Sequence, residues 1–205
     1  MIDYELTQRI QCIYTALGSS IETDINKFKP IVIQDSKKTV IIQDFSGGRN
    51  EAEIRNTANI LIYNVANIGS HLKKWASKNG KDKSRVDATF NGSISIKIIK
   101  DLSNVERHGY DPAKKGNSGR APRLNEINSI MRMITKPEKG SFIAYSFNRQ
   151  GEQKIIGNGN AKVIITGDIL DGDGNKIGDL HDTLLEAINE WEKLLVEFRI
   201  NVPSS

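Results

Sequence analysis

The sequence predicts an α+β fold, with a bundle of about four long helices, a small antiparallel β-sheet over residues 124–170 and an N-terminal β-hairpin. Three observations carry this expectation. Long stretches repeat apolar residues at three- and four-residue spacings, the period of an amphipathic helix. Runs rich in β-branched residues fill 31–45 and recur through 124–170. The links between the later runs are too short for helical crossovers, which leaves antiparallel pairing as the simplest arrangement.

The first element is a helix over about residues 3 to 28, with Leu6, Ile10, Ile13, Leu17, Ile21, Ile25 and Phe28 on one face. Asp3 and Glu5 complement its dipole, and Pro30 ends it. Ile31–Asp35 and Thr39–Phe45, separated by Ser-Lys-Lys, read as a β-hairpin or as two short extended pieces.

The most regular stretch follows. Ile54, Ala58, Leu61, Val65, Ile68, Leu72 and Trp75 make the stripe of a helix over 50–78, around which the other elements must pack. Asn50 and Glu53 have capping-box spacing at its start, and Asn79-Gly80 supplies its end. Ser84 and Asp87 repeat that spacing before a third helix striped by Val86, Phe90, Ile94, Ile98, Leu102 and Val105, with Gly109 as its C-terminal cap. Asn91-Gly92-Ser93 is its weak point: a mid-helix glycine costs about 1 kcal/mol relative to alanine, so a kink or break is expected there. A short loop makes this helix the antiparallel neighbour of 50–78.

Residues 109–123 have no apolar period and read as a long exposed loop. Strands are expected at Ile127–Ile134, Ser141–Asn148 and Ala161–Leu170. The last helix, about 180 to 200, carries Leu180, Leu184, Ala187, Trp191, Leu194 and Phe198 inward and Glu186, Glu190, Glu192 and Glu197 outward, with Asp179 as N-cap and Asp182 at the third position.

Composition bounds the rest. With 205 residues and 38% hydrophobic content the chain can build one core, and no Pro- or Ser-rich linker divides it, so residues 1–205 read as a single domain. The single cysteine, Cys12, excludes an internal disulfide. The absence of an eighteen-residue apolar run or signal h-region points to a soluble, cytoplasmic protein with no membrane partner. Charge is uneven: residues 73–123 hold thirteen Lys or Arg against five acidic residues, so the middle third carries the excess over the formal +4 of the chain. Lys73, Lys74, Lys100, Arg107, Lys114, Lys115, Arg120 and Arg123 are its candidate polyanion-binding residues.

Three histidines and one cysteine give no zinc spacing, no glycine loop leads from strand to helix to cradle phosphate, and no serine sits in a nucleophile-elbow pattern. Asp171-Gly-Asp-Gly-Asn departs from a calcium loop at its sixth position, Lys176, and at its twelfth, Asp182, and reads as a hairpin turn. No metal and no cofactor is expected.

The densest polar cluster runs from Lys100 to Tyr110. Asn104, three intervening residues, His108, Gly109 and Tyr110 resemble the R-N-x-x-x-H-x-Y signature of HEPN-like helical domains, many of which are metal-independent endoribonucleases of bacterial toxin and defence systems. The run also resembles bacterial and phage sequences to which no activity attaches. The resemblance implies His108 as general acid or base, Asn104 as its support and Tyr110 as the associated tyrosine. The arginine position is Ser103, which removes the cation that would stabilise the scissile phosphate. Lys100, Arg107, Arg120 and Arg123 are the other sources of charge.

RNA or another polyanion is therefore the expected partner. The alternative is a non-enzymatic interaction module, a homodimer or a binder of an acidic protein, in which Asn104 and His108 only finish a helix.

Overall fold

The computed structural model describes Gln8 and residues 22–34, 38–109 and 116–200. Its longest element, α1 (Glu51–Lys78), starts at a complete capping box: the Asn50 side chain accepts from the Glu53 N–H, and the Glu53 carboxylate accepts from the Asn50 N–H. Ile54, Ala58, Leu61, Val65, Ile68 and Leu72 are buried along it. Each such side chain is worth about 1.5–3 kcal/mol, so the stripe holds the helical layer together.

The third helix is interrupted within Asn91–Ser93, where its weak point was expected: α2 (Ser84–Gly92) and α3 (Ile94–His108) are divided at Ser93. Ser93 adopts an extended conformation, and its hydroxyl caps the Ile96 N–H at 3.3 Å. Across the break Val86, Ile98 and Leu102 of the expected stripe are buried, but Ile94 is 46% exposed, and Ser95, Ile96, Ile99, Asp101 and Ser103 join the buried face. The Ser84 cap is also corrected. The N-cap position is Lys83, with no side-chain cap bond, and the Asp82 carboxylate before it accepts from both the Ser84 N–H and hydroxyl, at 2.8 and 2.7 Å. At the end of α3, Gly109 takes φ 61°.

The remaining strands are β1 (Glu22–Asp24), β2 (Ile31–Gln34), β3 (Thr39–Ile42), β4 (Arg123–Ile134), β5 (Ile143–Phe147), β6 (Gln153–Gly157), β7 (Asn160–Leu170) and β8 (Lys176–Asp179), and α4 (Leu180–Glu197) closes the described chain. β7 is the centre of the main sheet, pairing antiparallel with β1, β4 and β8. The β4–β7 ladder runs from Arg123↔Leu170 to Ile134↔Asn160, interrupted by a bulge between Asn125 and Asn128. β2–β3 and β5–β6 are separate two-stranded sheets. At Gly157, φ is 115° and an added Cβ would lie 2.1 Å from the Phe142 carbonyl oxygen, so only glycine fits that crossing.

The expected bundle of four long helices over one small sheet is not the architecture. α1 and α4 lie against one face of the main sheet with α3 between them, α2 has only nine residues, and the strands form three sheets. β7 explains the difference. It is buried on both faces, with Ile164, Ile165 and Ile169 in the helical core and Ala161 and Val163 in a second core with Ile25 and Phe28. A strand buried on both faces needs a layer on each, which leaves less of the chain for helix.

The expected first helix lies largely outside the described residues. Its last part is corrected, because Glu22–Asp24 is a strand on the edge of β7 and Ile25–Lys27 a 3₁₀ turn. Pairing along β7 satisfies that backbone in place of a helical turn. Among the described residues no helix is long and apolar enough to cross a membrane.

Candidate functional site

α3 carries the residues singled out between Lys100 and His108, and its buried face decides what they can do. Ser103 lies four residues after Ile99, on the side facing the other helices, and is 1% exposed. Asn104 is half-buried, His108 and Arg107 are exposed, and Tyr110 lies outside the described residues. No hydrogen bond joins Asn104 to His108 among the described residues. The end of α3 is fixed instead through its neighbours: Asn59 on α1 donates to the Glu106 carboxylate at 3.0 Å, and the Arg107 guanidinium lies 4.7 Å from the centre of the Tyr63 ring.

These contacts set α1 and α3 antiparallel, and that register brings together two cations far apart in sequence. Lys73 and Lys100 line one cavity of about 300 Å³, with Arg107 further along the same seam. From Tyr63 to Lys73 the seam is about 15 Å long at the helical rise. Lys73 pairs with Asp87 on α2. Lys100 is half-buried and has no ion-pair partner among the described residues. Lys74 is exposed on α1 beside this group.

Arg120 and Arg123 stand apart from it. Arg120 lies beside the Asp171–Asp173 turn, its carbonyl accepting the Gly172 N–H at 2.9 Å, and Arg123 opens β4 opposite Leu170. Lys114 and Lys115 lie outside the described residues.

The cavity owes its shape to Gly69, Phe90 and Trp191; the sequence marks Phe90 and Trp191 as members of apolar helix stripes, and only Gly69 drew no attention there. Trp191 on α4 approaches α1 so closely that a Cβ at Gly69 would lie 2.9 Å from its ring. A glycine inside a helix costs about 1 kcal/mol against alanine, and here it admits the indole. The readable signal was a lone glycine on a half-buried turn of an otherwise strong helix.

A second polar cluster forms where α4 leaves the sheet. Asp179 caps α4 by accepting from the His181 and Asp182 N–H groups at 3.0 and 3.3 Å, while its other oxygen accepts from the Thr166 hydroxyl at 2.5 Å. Arg132 on β4 donates to both Asp182 oxygens, at 2.5 and 3.3 Å, and meets the buried His181 Nδ1 at 3.1 Å. These hydrogen bonds hold the Asp182 carboxyl below its ordinary range.

Asp179, His181 and Asp182 place their ligand atoms within 4.8 Å of one another, as a metal site would. The residues do not fit a cation, because the Arg132 guanidinium already supplies the positive charge and the cap and Thr166 use the Asp179 oxygens. The cluster fastens α4 to β4 and β7.

The Asp171–Asn175 segment forms the turn between β7 and β8, with the Asp171 carboxylate accepting from the Asp173 and Asn175 N–H groups at 3.0 and 2.8 Å. On the far side of α4, the α2–α3 break and the acidic face of α4 enclose an open groove of about 930 Å³. Ile94, Val196, Glu186 and Glu190 are among its lining residues.

No protein-family model, curated protein or solved structure matches this chain.

Proposed function

We propose that this protein binds RNA, without cutting it, through the seam between α1 and α3. What carries the reading is the convergence of Lys73 and Lys100 on one cavity, with Arg107 continuing the same line. Cations on a common seam engage successive phosphates, and their release of counterions makes binding fall with salt. Cleavage is outside the reading: the position that would carry the stabilising arginine is the buried Ser103, and among the described residues no hydrogen bond joins His108 to Asn104. The bacterial and HEPN-like character rests on the Asn104–Tyr110 resemblance alone.

The test is fluorescence anisotropy with a labelled single-stranded RNA over a salt series. With Lys73 paired to Asp87, two phosphate contacts, from Lys100 and Arg107, predict that log K falls with log salt at a slope of about −1.4. Lys100→Glu and Arg107→Glu should each weaken binding, while Lys139→Glu, in the turn after β4, should not. Absent binding at low salt, or binding indifferent to Lys100→Glu and Arg107→Glu, would remove the proposal.

A second reading rests on the groove beside α4. Its acidic rim opposes the basic seam in sign, which suits association between two copies of the chain. Concentration-dependent sedimentation that Glu186→Lys abolishes would favour it over RNA binding.

A further inference from the structure

We infer that the cavity between α1, α2, α3 and α4 takes one unstacked base of a single strand, with the adjoining phosphodiester against Lys100. This rests on the RNA-binding reading and names the form of RNA. The first argument is size. About 300 Å³ is at the low end of ligand pockets and suits one planar ring system, not a helix or a bulky cofactor.

The second argument is the division of the lining. Trp191 and Val86 are buried, Ala66 and Gly69 are half-buried, and all four line the floor. Phe90 is half-buried on the wall, so part of its ring remains for stacking, a contact every base can make. Ser70 and Asn91 are exposed at the mouth and offer donors and acceptors to the edge of a base.

The third argument is charge. With Lys73 paired to Asp87, Lys100 is the uncompensated cation of the mouth. One positive charge matches the single negative charge of a phosphodiester, whereas a terminal phosphate carries about two. In a duplex the bases are paired and stacked inside, and none can enter a concave site between helices. Recognition through this cavity therefore selects single strands.

The experiment uses the full chain carrying Trp75→Phe, which preserves an aromatic partner for Phe198 and leaves Trp191 as the one tryptophan. Its fluorescence is followed on adding an oligouridine of about eight residues, the same strand in a duplex, uridine 5′-monophosphate, or benzoate. The single strand should change the Trp191 emission and bind about tenfold more tightly than the duplex. Ser70→Phe, which plugs the mouth from an exposed position, should remove that preference without changing the helical circular dichroism. Phe90→Ala should weaken single-strand binding about tenfold by removing the stacking surface.

Failure of all nucleic acid to bind at low salt would overturn the RNA reading itself. Equal binding of single strand and duplex, unaffected by Ser70→Phe or Phe90→Ala, would overturn the cavity inference and leave that reading in place. If the mononucleotide or benzoate saturates the site while the oligonucleotide does not, the cavity serves a free small anion and the inference is wrong.

Discussion

Arg132 and Asp182 show how one side-chain pair couples folding to pH. The guanidinium's hydrogen bonds lower the Asp182 carboxyl from its ordinary value of 3.8, so the unfolded chain takes up a proton there before the folded one does. The resulting stabilisation is complete above that ordinary value and is lost as pH falls through the lower folded value. Because the Asp182 side chain is 53% exposed, solvent screens the pair and the effect is modest. Asp171, held down first by the Asn175 N–H, adds to the same acid limb. Thermal melts from pH 7 to pH 2 should show Asp182→Asn melting below the wild type at neutral pH and converging with it at the acid end. A constant offset would show that Asp182 acts without its charge.

The break between α2 and α3 tests what interrupts a helix. Glycine was the reason to expect it, yet Gly92 keeps an ordinary φ and an added Cβ would meet nothing within 4 Å. Ser93, extended and capping Ile96, is what turns the chain. Gly92→Ala should therefore leave the break intact and raise stability by about 0.5 kcal/mol, by restricting the unfolded chain. A fall in melting temperature would return the break to the glycine. At this scale α1 and α4 were legible, because each keeps one phase over its full length and buries the stripe its spacing marks. α3 was legible in part: Ile98 and Leu102 are buried as their spacing marks, but Ile94 is exposed beside the Ser93 break and the buried face is wider than the stripe. The β5–β6 hairpin was only half seen, because Gln153–Gly157 has no strong β-branched run and gains its pairing from Ile143–Phe147. The cavity was not legible at all. Lys73 and Lys100 were both singled out for charge, but their meeting depends on the α1–α3 register, and the Gly69–Trp191 approach joins residues with no shared local pattern.

Across the molecule, the helical layer and the main sheet are joined in sequence through residues 109–123, and one helix residue holds the end of that passage. The Asp101 carboxylate, 0% exposed, accepts from the Asn117 N–H and side-chain amide at 2.8 and 2.6 Å and from the Ser118 N–H at 2.7 Å. Two loop amides thus depend on a helix for their partners, and α3 cannot open without releasing them. Measured by deuterium uptake in the native state, the Asn117 and Ser118 amides should exchange as slowly as those of Ile98 and Leu102, and by the same opening event. Exchange at the rate of a free loop would show that the passage moves independently of α3. With the slow outcome, helices and sheet open as one cooperative unit, and the loop reports the stability of the whole fold.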